Sequence, residues 1–237
     1  MKKNTIHEKL KDLGVELEDV VLGDFDVIGE YTAKKNRSPD KENYKSVGCF
    51  FRPNYERGIL MYYLTQKNEF KNILEIGFGR GYSTFCIAKS MVDNKIDGKI
   101  TTVDPNLDEN FLNYLSKIFP KEWFDKINFV KGDSKSFYEK NNEKKYDFIY
   151  IDGDHRYDAV KEDWEYAQSH FEKFVLFDDY HLPTKNQKDI ECSAVINEIN
   201  EEVYEKELII MDRRIFFDDR RISDEDIDYG QVLVKKR

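Results

Sequence analysis

Two places in the sequence gather residues able to do chemistry. The first is Glu75-Ile-Gly77-Phe-Gly79-Arg-Gly81, three alternating glycines behind an acid. Glycines let a backbone turn sharply and bring amide N–H groups close to a ligand. The spacing is G-x-G-x-G, and Tyr82 stands where a dinucleotide fingerprint would carry its third glycine. A carboxylate two residues before the first glycine suits a ligand carrying an ammonium group better than a pyrophosphate. The second place is a pair of segments, Tyr150-Ile-Asp152-Gly-Asp154-His155 and Phe177-Asp178-Asp179-Tyr180-His181. Brought together, they form a cluster of carboxylates and imidazoles whose like charges repel unless something positive neutralises them. A hard divalent cation such as Mg²⁺ does this with a few carboxylates, water and substrate oxygens. Beside a substrate hydroxyl, it would lower the pKa of that hydroxyl and make a nucleophile. The plainer reading is that these acids start turns and cap helices, with Asp154 or Asp158 capping the stretch that follows.

These segments must be positioned by the elements around them. From residue 72 onward, short runs rich in Val, Ile, Phe and Tyr alternate with helical stretches. Strands are expected at 72–77, 99–104, 127–133, 146–152, 173–179, 207–211 and 230–236, with helices between most of them. Short links cannot join parallel strands directly, so this alternation implies parallel pairing with right-handed crossovers. The last two strands lack a helix-length link and are expected to pair antiparallel at one edge. The fold class is therefore α/β, a Rossmann-like seven-stranded, mostly parallel sheet with an antiparallel last strand and helices on both faces. Each strand carries a polar residue at its C-terminal end, where such sheets bind ligands. Adjacent strands ending at Asp152 and at Asp178-Asp179 would set the acids side by side. Residues 1–70 form an N-terminal helical cap or substrate lid before the core at 71–237. Within it, Ile6, Leu10, Leu13 and Leu17 follow a helical spacing interrupted by Gly14, residues 31–45 read as a loop, and Pro53 opens a second helix.

Residues 75–81 resemble motif I of class I S-adenosylmethionine-dependent methyltransferases, whose loop passes under the methionine part of that cofactor. On this resemblance Glu75, Gly77, Gly79 and Gly81 belong to the cofactor site. Asp104 matches the acid that takes both ribose hydroxyls. Asp133, with Ser134 beside it, matches the residue near the adenine amino group. The acidic segments resemble the metal-dependent sugar O-methyltransferase and cephalosporin-hydroxylase-like branch. Its pattern is an acid after one strand and an acidic pair after the next. That implies Asp152, Asp178 and Asp179 as ligands of Mg²⁺. Members of the branch take their base either two or three residues past the first ligand, and the chain offers both as Asp154 and His155. His155 is the preferred base, since a neutral imidazole accepts a proton near pH 7 without adding negative charge.

Composition narrows the partners. Lys and Arg number 38 against 47 Asp and Glu, a net charge of −9, which repels phosphate backbones and anionic headgroups. The expected acceptor is a small molecule bearing a hydroxyl, with a sugar one candidate; neither nucleic acid nor membrane is an expected partner. The N-terminal lysines have no apolar run behind them, so no secretory signal is expected. Three widely spaced cysteines, Cys49, Cys86 and Cys192, read as reduced thiols of a cytoplasmic protein. Phe50, Phe51, Tyr62 and Tyr63 suit a homo-oligomer interface or a cover for the sheet. Arg52, Tyr55 and Glu56 lie near the expected cofactor entrance, His181 beside the acidic pair. His7 and His170 read as surface residues, and residues 218–221 as a solvated charge run. Three competing readings remain: a metal-independent N- or O-methyltransferase of the same fold, a nicotinamide oxidoreductase disfavoured by the glycine spacing, and a catalytically silent cofactor-binding protein.

Overall fold

The computed structural model describes residues 1–21, 24–25, 27–29, 55–181, 191–210 and 229–237. Cys49, Phe50, Phe51, Arg52, Pro53, the 31–45 segment and residues 218–221 lie outside the described residues, as do the side chains of Tyr55, Glu56 and His181. The strands are β1 (Lys2–Thr5), β2 (Asn72–Ile76), β3 (Lys99–Asp104), β4 (Ile127–Lys131), β5 (Tyr146–Ile151), β6 (Phe171–His181), β7 (Tyr204–Ile210) and β8 (Tyr229–Lys236). The helices are α1 (Ile6–Asp12), α2 (Tyr55–Asn68), α3 (Tyr82–Asp93), α4 (Glu109–Leu115), α5 (Lys121–Phe124), α6 (Ser134–Lys140), α7 (Tyr157–His170) and α8 (Glu191–Glu198).

The strands form one sheet in the order β1-β7-β8-β6-β5-β2-β3-β4. From β4 to β6 all neighbours are parallel, whereas β8 runs antiparallel to both β6 and β7. All seven expected strands are present, and the last two do pair antiparallel. The sheet differs from expectation in having eight strands, because β1 pairs parallel with β7 and takes the edge. The sequence KKNT carries no apolar alternation to announce a strand. Backbone pairing forms it, and Asn4 Nδ2 donating to Glu207 Oε1 at 2.6 Å secures it. The next residue, Thr5, caps α1 by accepting from the Glu8 amide while Glu8 accepts from the Thr5 amide.

The chain leaves β2 for β3 and β4 on one side, then returns to the other side as β5. The C-terminal ends of β2 and β5 therefore flank the point where strand order reverses, the usual ligand crevice of such sheets. Strand alternation divides the core in two. Phe148, Tyr150 and Leu176 face α2, α3 and α4, while Ile149, Ile151, Val175 and Phe177 face α6, α7 and α8. Trp164, Tyr166 and Phe171 pack on the second face as expected, with the Trp164 ring 5.8 Å from that of Phe177. His7 is exposed, but His170 is buried, with its ring stacked 3.8 Å from Tyr166 and its nitrogens against the carbonyls of Tyr166 and Asn142. No described helix is long and apolar enough to cross a membrane.

Two features of this frame yield measurable consequences. At Gly77, φ is +94° and a Cβ would lie 2.0 Å from the Asp152 carbonyl oxygen. Gly77→Ala is therefore expected to cost about 3 kcal/mol in urea denaturation, through backbone strain and separation of β2 from β5. Gly79, at φ +52° with open space around it, should cost only about 1 kcal/mol on the same substitution. On the second face, Asp163 is 2% exposed and accepts a 2.6 Å hydrogen bond from Tyr138 Oη. Burial pushes its carboxyl up from the ordinary 3.8 to about 6. The folded chain then holds a proton that the unfolded chain releases between about pH 4 and pH 6, so stability falls as pH rises through that window. Asp163→Asn should flatten this part of the stability profile.

Candidate active site

The loop of residues 77–81 rises from the end of β2 and turns into α3. Below it, Glu75 is fully buried on the face toward α3, where it accepts hydrogen bonds from Ser83 Oγ at 2.6 Å and from Thr84 Oγ1. Burial holds its carboxyl above the usual range, opposed by those hydroxyls. Glu75 thus clamps the first turn of α3 to the strand; both its oxygens are engaged within the protein. Gly77 donates to the Val103 carbonyl at 2.9 Å, and Asp152 donates its amide to the Ile76 carbonyl at 2.9 Å, so the ends of β2, β3 and β5 are laced together. Gly81, at φ +82°, caps α3, and a Cβ there would strike the Phe78 ring.

Asp104 ends β3 and is 8% exposed. One of its oxygens accepts from the Gly79 amide at 3.0 Å and the other from the Asn106 amide at 2.6 Å. The carboxylate therefore holds the glycine loop and the post-β3 turn in fixed relation, at the rim where the resemblance puts the ribose. Asp133 follows β4 and caps α6, accepting from Ser136 N at 2.8 Å and Ser136 Oγ at 2.9 Å. These bonds hold its carboxyl below the usual range. Ser134 is the first residue of α6, directly after that cap.

The acidic segments meet at the same rim. Ile151 lies beside Phe177 in the β5–β6 register, so the residues after them, Asp152 and Asp178, emerge side by side. Asp178 has no exposed side-chain surface; its Oδ1 accepts from Gln231 Nε2 at 3.0 Å. Asp152 Oδ2 accepts from Tyr150 Oη at 3.1 Å. Arg57, from the first turn of α2, bridges the two: its guanidinium donates to Asp152 Oδ2 at 3.2 Å and pairs with Asp178 Oδ2. Burial, then the neighbouring Asp178, pushes the Asp152 carboxyl well up, and Arg57 opposes both.

Asp179 goes the other way. It has φ +53°, a left-handed conformation rare for a residue with a Cβ, at a point where the β6–β8 register shifts between Phe177 and Tyr180. This irregularity turns its carboxylate out to His155, whose Nδ1 lies 3.2 Å from Asp179 Oδ2. Asp152, His155 and Asp179 each offer one donor atom, and the three atoms lie within 4.8 Å of one another. Asp154 is directed away, held at the surface by Arg156 Nε at 2.9 Å and by the Arg156 amide at 3.0 Å. Hydrogen bonds from Arg156 pull its carboxyl down to about 2.

The structure thus brings Gly77, Gly79, Gly81, Asp104, Asp152, His155, Asp178 and Asp179 to the C-terminal ends of β2, β3, β5 and β6. Asp133 and Ser134 follow the next strand, and Asp154 turns outward. Arg57 escaped the sequence reading, which stopped one residue earlier, at Glu56. Among the expected interface aromatics, Tyr62 is half-buried, with its hydroxyl on Asp93 at 2.9 Å and its ring 5.7 Å from Phe25. Cys86 and Cys192 are buried free thiols.

Residues 74–180 match a family model described as a methyltransferase domain. Over 88 residues the chain is 36% identical to tapetum-specific methyltransferase 1 of Arabidopsis thaliana, a stretch covering 35% of this chain. The match spans only 36% of that protein's length. Among solved structures, the O-methyltransferase from Bacillus cereus in complex with SAH superposes with a TM-score of 0.55 at 15% identity, covering 92% of this chain and 100% of that one. The O-methyltransferase TomG from Streptomyces achromogenes, involved in tomaymycin synthesis and solved with SAM, gives 0.57 at 14% identity, covering 92% and 99%. At these identities the likeness is one of fold. Residues 74–180, with the glycine loop at the switch point, are thus similar to a methyltransferase domain.

Proposed function

We propose that the chain transfers a methyl group from S-adenosylmethionine to a hydroxyl of a small molecule, with a sugar among the candidate acceptors, and that His155 takes the hydroxyl proton. The observation that carries this reading is the His155–Asp179 pair, 3.2 Å apart at the rim that also holds the glycine loop. A proton on Nδ1 satisfies Asp179 and leaves Nε2 as an acceptor, so the carboxylate orients the imidazole and stabilises it once charged. Asp154 is a poor base because its carboxyl, at about 2, binds a proton too weakly.

The residues present suit the cofactor. Gly79 has open space around it, Asp104 stands at the end of β3, and Asp133 and Ser134 open α6 beyond the next strand. When bound, S-adenosylmethionine would supply a sulfonium methyl group that passes to an oxygen nucleophile, with the thioether S-adenosylhomocysteine as the leaving group. The protein's part is to hold the loop rigid through Glu75, fix Asp104 against it, and deprotonate the acceptor.

A second reading is favoured by the convergence of Asp152, His155 and Asp179 within 4.8 Å. Two carboxylates and an imidazole fit a divalent cation of mixed oxygen and nitrogen preference. The all-oxygen set of Asp152, Asp178 and Asp179 expected for Mg²⁺ would need Asp178 to leave Arg57. A cation at either set would polarise the acceptor oxygen, and His155 as a ligand could not serve as base.

Both readings are tested by following labelled methyl transfer from S-adenosylmethionine to a panel of sugars and phenols. His155→Ala should slow transfer about a hundredfold or more, while Asp154→Asn stays within about twofold of the parent. Undiminished transfer by His155→Ala would remove the base from the account. Loss of transfer in chelator, restored by Mg²⁺ or Mn²⁺, would favour the second reading.

A further inference from the structure

Arg57 brings a positive charge into the acid cluster from an element outside the matched methyltransferase span. Its position has a local cause. The next residue, Gly58, sits where a Cβ would lie 2.4 Å from Tyr82 Oη and 2.8 Å from Cys86 Sγ. Only a glycine lets α2 approach α3 this closely, and that approach carries the start of α2 over the strand ends. The guanidinium then meets two carboxylates, one from β5 and one from β6, in the forked geometry that suits arginine and that a lysine cannot reproduce. Asp178 is otherwise sealed, with Gln231 Nε2 on its other oxygen and no exposed side-chain surface.

We propose that Arg57 is the resident counter-cation of this cluster and that, by engaging Asp178 and sharing Asp152, it sets the site's affinity for a divalent ion. The inference takes its catalytic meaning from the reading of this rim as a methyl-transfer site. With Arg57 in place, Asp152, His155 and Asp179 are the described residues that converge on an ion, under the field of a fixed positive charge. Without it, Asp152 and Asp178 lie side by side without the charge that Arg57 supplies, and a divalent ion relieves their repulsion.

The test is a calorimetric titration of Mn²⁺ into the full chain, with folding checked by circular dichroism. Arg57→Gln is expected to bind Mn²⁺ at least tenfold more tightly than the parent, and adding Asp178→Asn should reverse that gain. Arg57→Lys keeps the charge but loses the fork, and should fall between parent and Arg57→Gln. It decides the matter if Arg57→Gln does not fold: parent-like affinity in Arg57→Lys would then overturn the proposal. Equal or weaker Mn²⁺ binding by folded Arg57→Gln, or a gain that survives Asp178→Asn, would overturn it directly. A purely structural role for Arg57 predicts no such gain. S-adenosylhomocysteine binding, measured on the same samples, reads the functional assignment separately: its absence from the parent would sink that assignment and leave the Mn²⁺ comparison intact.

Discussion

The ends of β2 and β5 approach one another more closely than any side chain allows. A single atom added at Gly77 would overlap the Asp152 carbonyl, and the Asp152 amide is hydrogen-bonded to Ile76 in the adjoining strand. Because the strands are parallel neighbours at the point where order reverses, both chains must turn away from this contact. One becomes the glycine loop and the other carries Asp152, Asp154 and His155. The direction of each follows from the same pinch. Glu75 beneath the loop and Asp104 beside it keep the first turn from relaxing, through two hydroxyls of α3 and the Gly79 amide. The loop is thus held from below and from the side by the protein's own hydrogen bonds.

Charge is the second constraint, and the fold resolves it by geometry. Three carboxylates leave two adjacent strands at one rim. Strand alternation sends Asp178 inward toward Tyr150, Gln231 and Arg57, while the left-handed turn at Asp179 sends its neighbour outward to His155. An adjacent pair is thereby split into a sealed acid paired with a guanidinium and an accessible acid paired with an imidazole. The two have different work to do: one fixes α2 over the site, the other orients a group that can accept a proton.

Much of this was legible in the sequence because it rests on periodicity and on strand ends. Short β-branched runs between helical stretches gave the parallel sheet, and the glycine spacing located the loop. Asp104, Asp152 and the Asp178-Asp179 pair were recognisable because each ends an expected strand, although β6 continues past the pair to His181. Four features were not legible, each for a physical reason. β1 is an edge strand made by backbone pairing, so its residues need no apolar alternation. Arg57 acts through a helix–helix approach set by Gly58, and nothing in a polar helix start singles out one arginine. Asp154 and His155 differ in surroundings because Arg156 captures the first and the bulge at Asp179 reaches the second. Likewise His170 is buried by stacking on Tyr166, a contact across one helical turn that composition does not announce.

The central claim is that the rim built around Gly77, Asp104 and Asp152 is a preformed site for S-adenosylmethionine. It is tested most directly by isothermal titration of S-adenosylhomocysteine into the parent and into Asp104→Ala, with NAD as the control ligand. The account predicts saturable one-to-one binding by the parent, at least tenfold weaker binding by Asp104→Ala from the loss of charge-assisted hydrogen bonds, and no binding of NAD. Absence of S-adenosylhomocysteine binding to the folded parent, or NAD binding of equal strength, would contradict it.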